Sequence, residues 1–100
     1  MTINDFLVQN LSILSKEIIP NLESDFTSHD FIKKFAKKFE GDYIKFLNNY
    51  KGIGAFRTVH SQIAKFLAEN ETRLKIHKTQ KVQSENIFGE MDVIQGWKRP

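Results

Sequence analysis

Between residues 28 and 39 the chain allows essentially one conformation. Phe31, Ile32, Phe35, Ala36 and Phe39 recur at i, i+1, i+4, i+5 and i+8, and Lys33, Lys34, Lys37 and Lys38 fill the gaps. A period of 3.6 sorts these residues into an apolar stripe and a cationic stripe on opposite sides of a helix. A strand would mix Phe and Lys on both of its faces. A helix with so many rings on one side is stable only when something covers them, so the segment demands a packed, helix-rich domain. Ser28 is the expected N-cap, and Asp30 in the first turn suits the helix dipole.

Helical spacing recurs on both sides of this segment. Ile3, Phe6, Leu7, Asn10, Leu11, Leu14 and Ile18 predict one helix over residues 3–18, capped by Thr2 or Asn4 and ended by Pro20. Residues 21–27 read as a turn-like connector. Gly41 is expected to close the Phe/Lys helix in a left-handed conformation, and Asp42 to cap a short third helix supported by Tyr43, Ile44, Phe46, Leu47 and Tyr50. Lys51-Gly52-Ile53-Gly54 is a loop. A fourth helix is expected over Ala55–Glu69, with Phe56, Val59, Ile63, Phe66 and Leu67 inward and a left-handed Asn70 ending it. After Asn70 the period changes: Leu74, Ile76 and Lys78 alternate with Lys75 and His77, a strand signal. Apolar residues return at Ile87-Phe88 and from Val93 to Trp97.

These elements predict a single domain spanning residues 1–100. It is mainly α with a small C-terminal β-ribbon (α+β), four helices followed by a two- or three-stranded antiparallel wing. The expected core is Phe31, Phe35, Phe39, Phe46, Phe56, Ile63 and Phe66, with Trp97 burying itself against it.

Several function classes find no support in the residues. The chain has no cysteine, so it carries no disulfide framework, no Cys-ligated zinc and no thiol nucleophile. His29, His60 and His77 match no metal-ligand spacing. His60-Ser61 are helix neighbours that do not face each other, a poor start for a triad. No nucleophile elbow, P-loop or dinucleotide fingerprint occurs. No catalysis, cofactor or metal is therefore expected. No apolar run approaches the ~18 residues of a membrane span, and the start of the chain has no basic segment of a secretory signal. The expectation is an intracellular, cytoplasmic domain with no membrane partner.

Charge supplies the positive evidence. The net charge is +3, but residues 28–81 carry twelve Lys or Arg against five acids, +7, while the flanks are acidic. A concentration of that kind suits a polyanionic partner. On the fourth helix the outward arc holds Arg57, Ser61, Ala64, Lys65 and Ala68, with Thr58 and Gln62 on one flank. Small residues allow close approach to a surface, Gln addresses adenine, and Arg addresses guanine or phosphate; a major groove admits such a helix. The Lys33, Lys34, Lys37 and Lys38 stripe forms a secondary basic patch able to follow a phosphate backbone.

The order helix, helix, linker, helix and basic ribbon over residues 28–100 resembles winged helix-turn-helix DNA-binding domains. The resemblance implies that Ala55–Glu69 is a recognition helix and that Lys78–Asn86 is a wing. Arg57, Thr58, Ser61, Gln62 and Lys65 are then the expected groove residues, and Lys78 and Lys81 the expected phosphate contacts. The function implied is binding of double-stranded DNA by a small transcriptional regulator or a phage- or plasmid-type accessory protein. The alternative is an adaptor or inhibitor that docks an acidic protein through the same basic face.

Overall fold

The structure, a computed structural model, describes residues Met1–Pro100. Its first helix, α1 (Ile3–Gln9), starts with a reciprocal cap. The Thr2 hydroxyl accepts the Asp5 amide at 3.0 Å, and the Asp5 carboxylate accepts the Thr2 amide at 3.4 Å. The expected single helix over residues 3–18 is broken. Asn10 leaves helical geometry and its side-chain amide donates to the Phe6 carbonyl at 2.8 Å, competing with the helix ladder. A short α2 (Leu11–Ile13) leads into a wide i→i+5 turn over Leu14–Ile18, then a tight 3₁₀ turn over Ile19–Asn21. Pro20 therefore sits inside a helical turn instead of ending one. A proline ring collides with the carbonyl four residues back, here Lys16, and Lys16 lies in the widened turn.

The expected connector contains a strand, β1 (Asp25–Thr27). Its last residue, Thr27, caps α3 (Ser28–Lys38): Thr27 Oγ1 accepts the Asp30 amide at 3.2 Å and Asp30 Oδ2 accepts the Thr27 amide at 2.9 Å. Ser28 is displaced from the cap it was expected to form. It is fully buried, and its Oγ accepts the Trp97 indole N–H at 2.9 Å. Phe31, Ile32 and Phe35 face the core as the pattern requires. The turn into α4 (Glu40–Asn49) is made by Phe39 at φ −116°, ψ 46°, and Gly41 is helical rather than left-handed. Two of the three positive-φ glycines, Gly52 at 86° and Gly54 at 74°, stand in the loop before α5 (Ala55–Glu69).

Asn70 is also not left-handed; at φ −130° it donates its side-chain amide to the Phe66 carbonyl, and a further turn, α6 (Glu71–Leu74), follows. Lys75, at φ 58°, makes the left-handed reversal five residues later than expected. The fold thus has six α-helical segments where four were expected. Leu74 and Ile76 are both buried, but Leu74 ends a helix and the strand β2 (His77–Glu85) starts after it.

β2 pairs antiparallel with β3 (Met91–Lys98), and β1 joins β3 on its other side, giving the order β1-β3-β2. The α+β class and an antiparallel C-terminal ribbon are therefore present, the third strand coming from the segment ahead of α3. A bulge at Thr79-Gln80 stands opposite Gly96. A Cβ at Gly96 would lie 2.7 Å from Thr79 Oγ1 and 2.9 Å from the Gln80 carbonyl, so the close strand approach requires glycine.

Nineteen buried apolar residues form one core. Phe31, Phe35, Phe46, Ile63 and Phe66 are in it as expected, Phe39 packs half-buried against it, and Trp97 is 1% exposed. Phe56 is corrected: it is 43% exposed. The core also holds residues that the core expectation omitted, including Ile3, Leu7, Leu14 and Ile18, while Phe56 meets Phe88 of the hairpin edge-on at 4.9 Å. Phe6 ties the helices together with edge-to-face contacts to Phe39 and Phe46 at 5.2 and 5.4 Å.

Candidate nucleic-acid interface

α5 has the amphipathic build expected of it. Val59, Ile63, Phe66 and Leu67 are buried, and Arg57, Ser61 and Lys65 are exposed. Thr58 and Gln62, on the flank, are half-buried, and Gln62 Nε2 donates to the Tyr50 hydroxyl at 3.1 Å. Gln62 is thus partly committed to the contact with the end of α4. Arg57 and Ser61 do not face open solvent alone. They line a cleft of about 560 Å³ closed on the far side by the turn of the β2–β3 hairpin.

That turn is built from its own backbone. Asn86 Oδ1 accepts the Phe88 and Glu90 amides at 2.9 and 3.1 Å, and Gly89 takes φ 78°. The folding of the tip brings Glu90 and Asp92 to the same cleft as Arg57. Two carboxylates there lower the local potential for any phosphate, a feature invisible in the charge of the segment around Arg57.

Lys78 and Lys81 are exposed on β2, an edge strand, and stand near the hairpin's base, where they pair with Trp97 and Gln95. The Lys78 amide donates to Glu71 Oε1 at 2.8 Å. Glu85, paired with Met91, marks the other end of the strand. At ~3.3 Å per residue, roughly 23 Å of strand separates Lys78 from Glu85. Neither Lys78 nor Lys81 is among the residues that line the cleft of Arg57 and Ser61.

The α3 stripe is also divided. Lys33, Lys34 and Lys37 border a shallow groove of about 330 Å³ beside Asn21, Glu23 and Asp30. Lys38 is instead held by Glu17, Nζ to Oε1 at 2.7 Å. This is the single pair between a Lys or Arg and an Asp or Glu, so the other fourteen Lys and Arg side chains have no Asp or Glu carboxylate within 4 Å.

A polar cluster that spacing did not reveal lies beneath the cleft. Tyr43 of α4 and His60 of α5 are hydrogen-bonded, Oη to Nε2, at 2.6 Å, with their rings stacked. Burial, and then the positive charge that His29 can carry, hold the His60 pKa below its usual value; burial raises that of Tyr43. His29 is buried and its Nδ1 has no hydrogen-bond partner. These three residues come from three helices, 14 to 31 positions apart, and only their individual half-apolar settings could have hinted at them. No group of three or more His, Asp or Glu side chains is placed to hold a metal ion, and no helix is long and apolar enough to cross a membrane. No family model matches the sequence, and neither a curated protein nor a solved structure matches the chain.

Proposed function

We propose that this domain binds double-stranded DNA and performs no chemistry on it, in the manner of the winged helix-turn-helix domains its element order resembles. The observation that carries the reading is the lack of neutralisation: the exposed cations of α5 and β2, Arg57, Lys65, Lys78 and Lys81, have no carboxylate within 4 Å. Each such cation placed on a phosphate releases counterions, a gain an internally paired surface would forfeit. Arg57, Thr58, Ser61, Gln62 and Lys65 supply the helix face for the major groove. Lys78 and Lys81 supply phosphate contacts from the ribbon.

The acidic hairpin tip sets the direction of approach. Glu90 and Asp92 repel phosphates, so the duplex lies toward the hairpin's base and the C-terminal part of α5, with Lys65 nearer the backbone than Arg57. A second reading, docking of a protein partner, draws on a different observation: Phe56, Phe88, Met91 and Val93 are all exposed near the tip. Titration into mixed-sequence duplex at two salt concentrations separates the two. DNA binding predicts a Kd in or below the ~10⁻⁴–10⁻⁶ M range of non-specific binders, weakening steeply with salt. An affinity no better than about millimolar at low salt contradicts it and returns the basic face to an acidic protein partner.

A further inference from the structure

A concentration of cations without Asp or Glu beside it lies outside every surface described above. Lys16 from the wide turn, Arg73 and Lys75 from the end of α6, and Arg99 from beyond β3 line one groove of about 420 Å³ together with Ser15. No Asp or Glu lines it; Pro100 does, and its terminal oxygen accepts Arg99 Nη1 at 2.9 Å. The acids closest in sequence are engaged elsewhere: Glu17 holds Lys38, and Glu71 accepts the Lys78 amide. Ile19, Pro20 and Leu74 make part of the wall, and apolar walls of low polarisability focus the field of the four charges into the groove.

The cations are also positioned. Arg99 Nε donates to the Leu22 carbonyl at 2.8 Å and Nη1 to the Pro100 carbonyl at 2.9 Å, while its own amide donates to the Ser24 carbonyl. The guanidinium is therefore half-buried and fixed, with its remaining N–H groups uncommitted. Lys75 is set by the left-handed turn that redirects the chain from α6 into β2. Lys16, Arg73 and Lys75, with Arg99 partly engaged by Pro100, come from three separate segments to line a groove that holds no Asp or Glu and has Ser15 in its wall, a lining that suits a compact, multiply charged oxyanion.

We propose that this groove binds a phosphate group, either of a nucleic-acid backbone or of a free phosphate compound. The proposal stands on the groove itself and holds whether or not α5 enters a major groove.

The test is an amide NMR titration of the intact protein with two probes, inorganic pyrophosphate and a short mixed-sequence duplex. It is run on the wild type, on Arg73→Gln/Lys75→Gln, and on Lys45→Gln/Lys51→Gln, which removes the same charge from exposed sites elsewhere. The expected result is saturable shifts of the Lys16, Lys75 and Arg99 amides. The groove variant should weaken them by at least about tenfold, a difference of ~1.4 kcal/mol, and the control variant should not. Duplex shifts at these amides that pyrophosphate displaces assign the site to backbone phosphate. Pyrophosphate saturation with no duplex effect there assigns it to a free phosphate compound, and, if the duplex binds nowhere, separately removes the DNA reading. The proposal is overturned if neither probe saturates these amides, or if the control variant weakens binding as much as the groove variant.

Discussion

At its base the β2–β3 hairpin is fastened to the core through Trp97, whose ring is buried beside Phe26 and whose indole N–H reaches Ser28, and the side chains it exposes there are Lys78, Lys81 and Lys98. At its tip the same hairpin closes on local hydrogen bonds of Asn86, meets Phe56 through one exposed ring, and carries Glu85, Glu90 and Asp92. Two antiparallel strands thus join a cationic end with a fully buried anchor to an anionic end held by the half-buried Ile87 and the exposed Phe88. The net charge of a stretch of sequence is therefore a poor guide to the surface it forms: Arg57 belongs to the basic middle of the chain yet folds beside two carboxylates from the acidic end. The buried anchor and the exposed lysines of the hairpin both concentrate at the base.

Removing the anchors at the two ends gives the largest contrast. Trp97→Ala opens a cavity in the core and removes the donor to the buried Ser28 hydroxyl, leaving that hydroxyl only its bond to the Gln95 carbonyl, and should cost ~3–5 kcal/mol in urea unfolding. Phe88→Ala loses one edge-to-face contact at a site 55% exposed and should cost no more than about 1 kcal/mol. Similar losses at the two positions would erase the distinction.

Glycines at the two ends sharpen it by mechanism. Gly96→Ala pushes a methyl into the Gln80 carbonyl across the bulge and should cost ~1–3 kcal/mol by overpacking. Gly89→Ala has room for its methyl but must hold φ 78°, a cost of ~1–2 kcal/mol that is backbone strain alone. Asparagine tolerates the left-handed region, so Gly89→Asn should recover part of the loss and Gly96→Asn none, as read by thermal unfolding.

A smaller effect is expected beneath the tip. The His60 pKa in the fold lies below its unfolded value, so the unfolded chain binds more protons between the two. The stability this group contributes is full above pH ~6.5 and falls as the pH drops from there to the folded pKa. His60→Asn should flatten that part of the stability–pH curve, and an unchanged curve would show that His60 is not the group responsible.

How legible this was in the sequence varies with the range of the interaction. α3 could be read from residues 28–39 because both of its faces lie within one helical period. The loop glycines and α5 were legible for the same local reason. β1 was not, because three residues carry no period and its strand partner lies about seventy positions away. The interruption at Asn10 was equally hidden, since that residue fits the helical spacing and breaks it through a bond to its own preceding turn. Phe56 had an inward wheel position, but the core also draws on rings and branched chains of the N-terminal helices. For the candidate site, the identity and exposure of Arg57, Ser61, Lys65, Lys78 and Lys81 followed from pattern. Their division between two ends of the hairpin, and the acids set against Arg57, depend on a fold-back of more than thirty residues.

The most direct test of the central claim compares salt slopes of duplex binding at the two ends. Lys78→Ala/Lys81→Ala should weaken binding alike for all sequences and lower the slope of log K against log salt by about 1 for each lysine removed. Glu90→Gln/Asp92→Asn, at the tip, should leave the slope unchanged. A slope unaltered by the lysine substitutions, or one altered only by the tip substitutions, would contradict a phosphate-binding base.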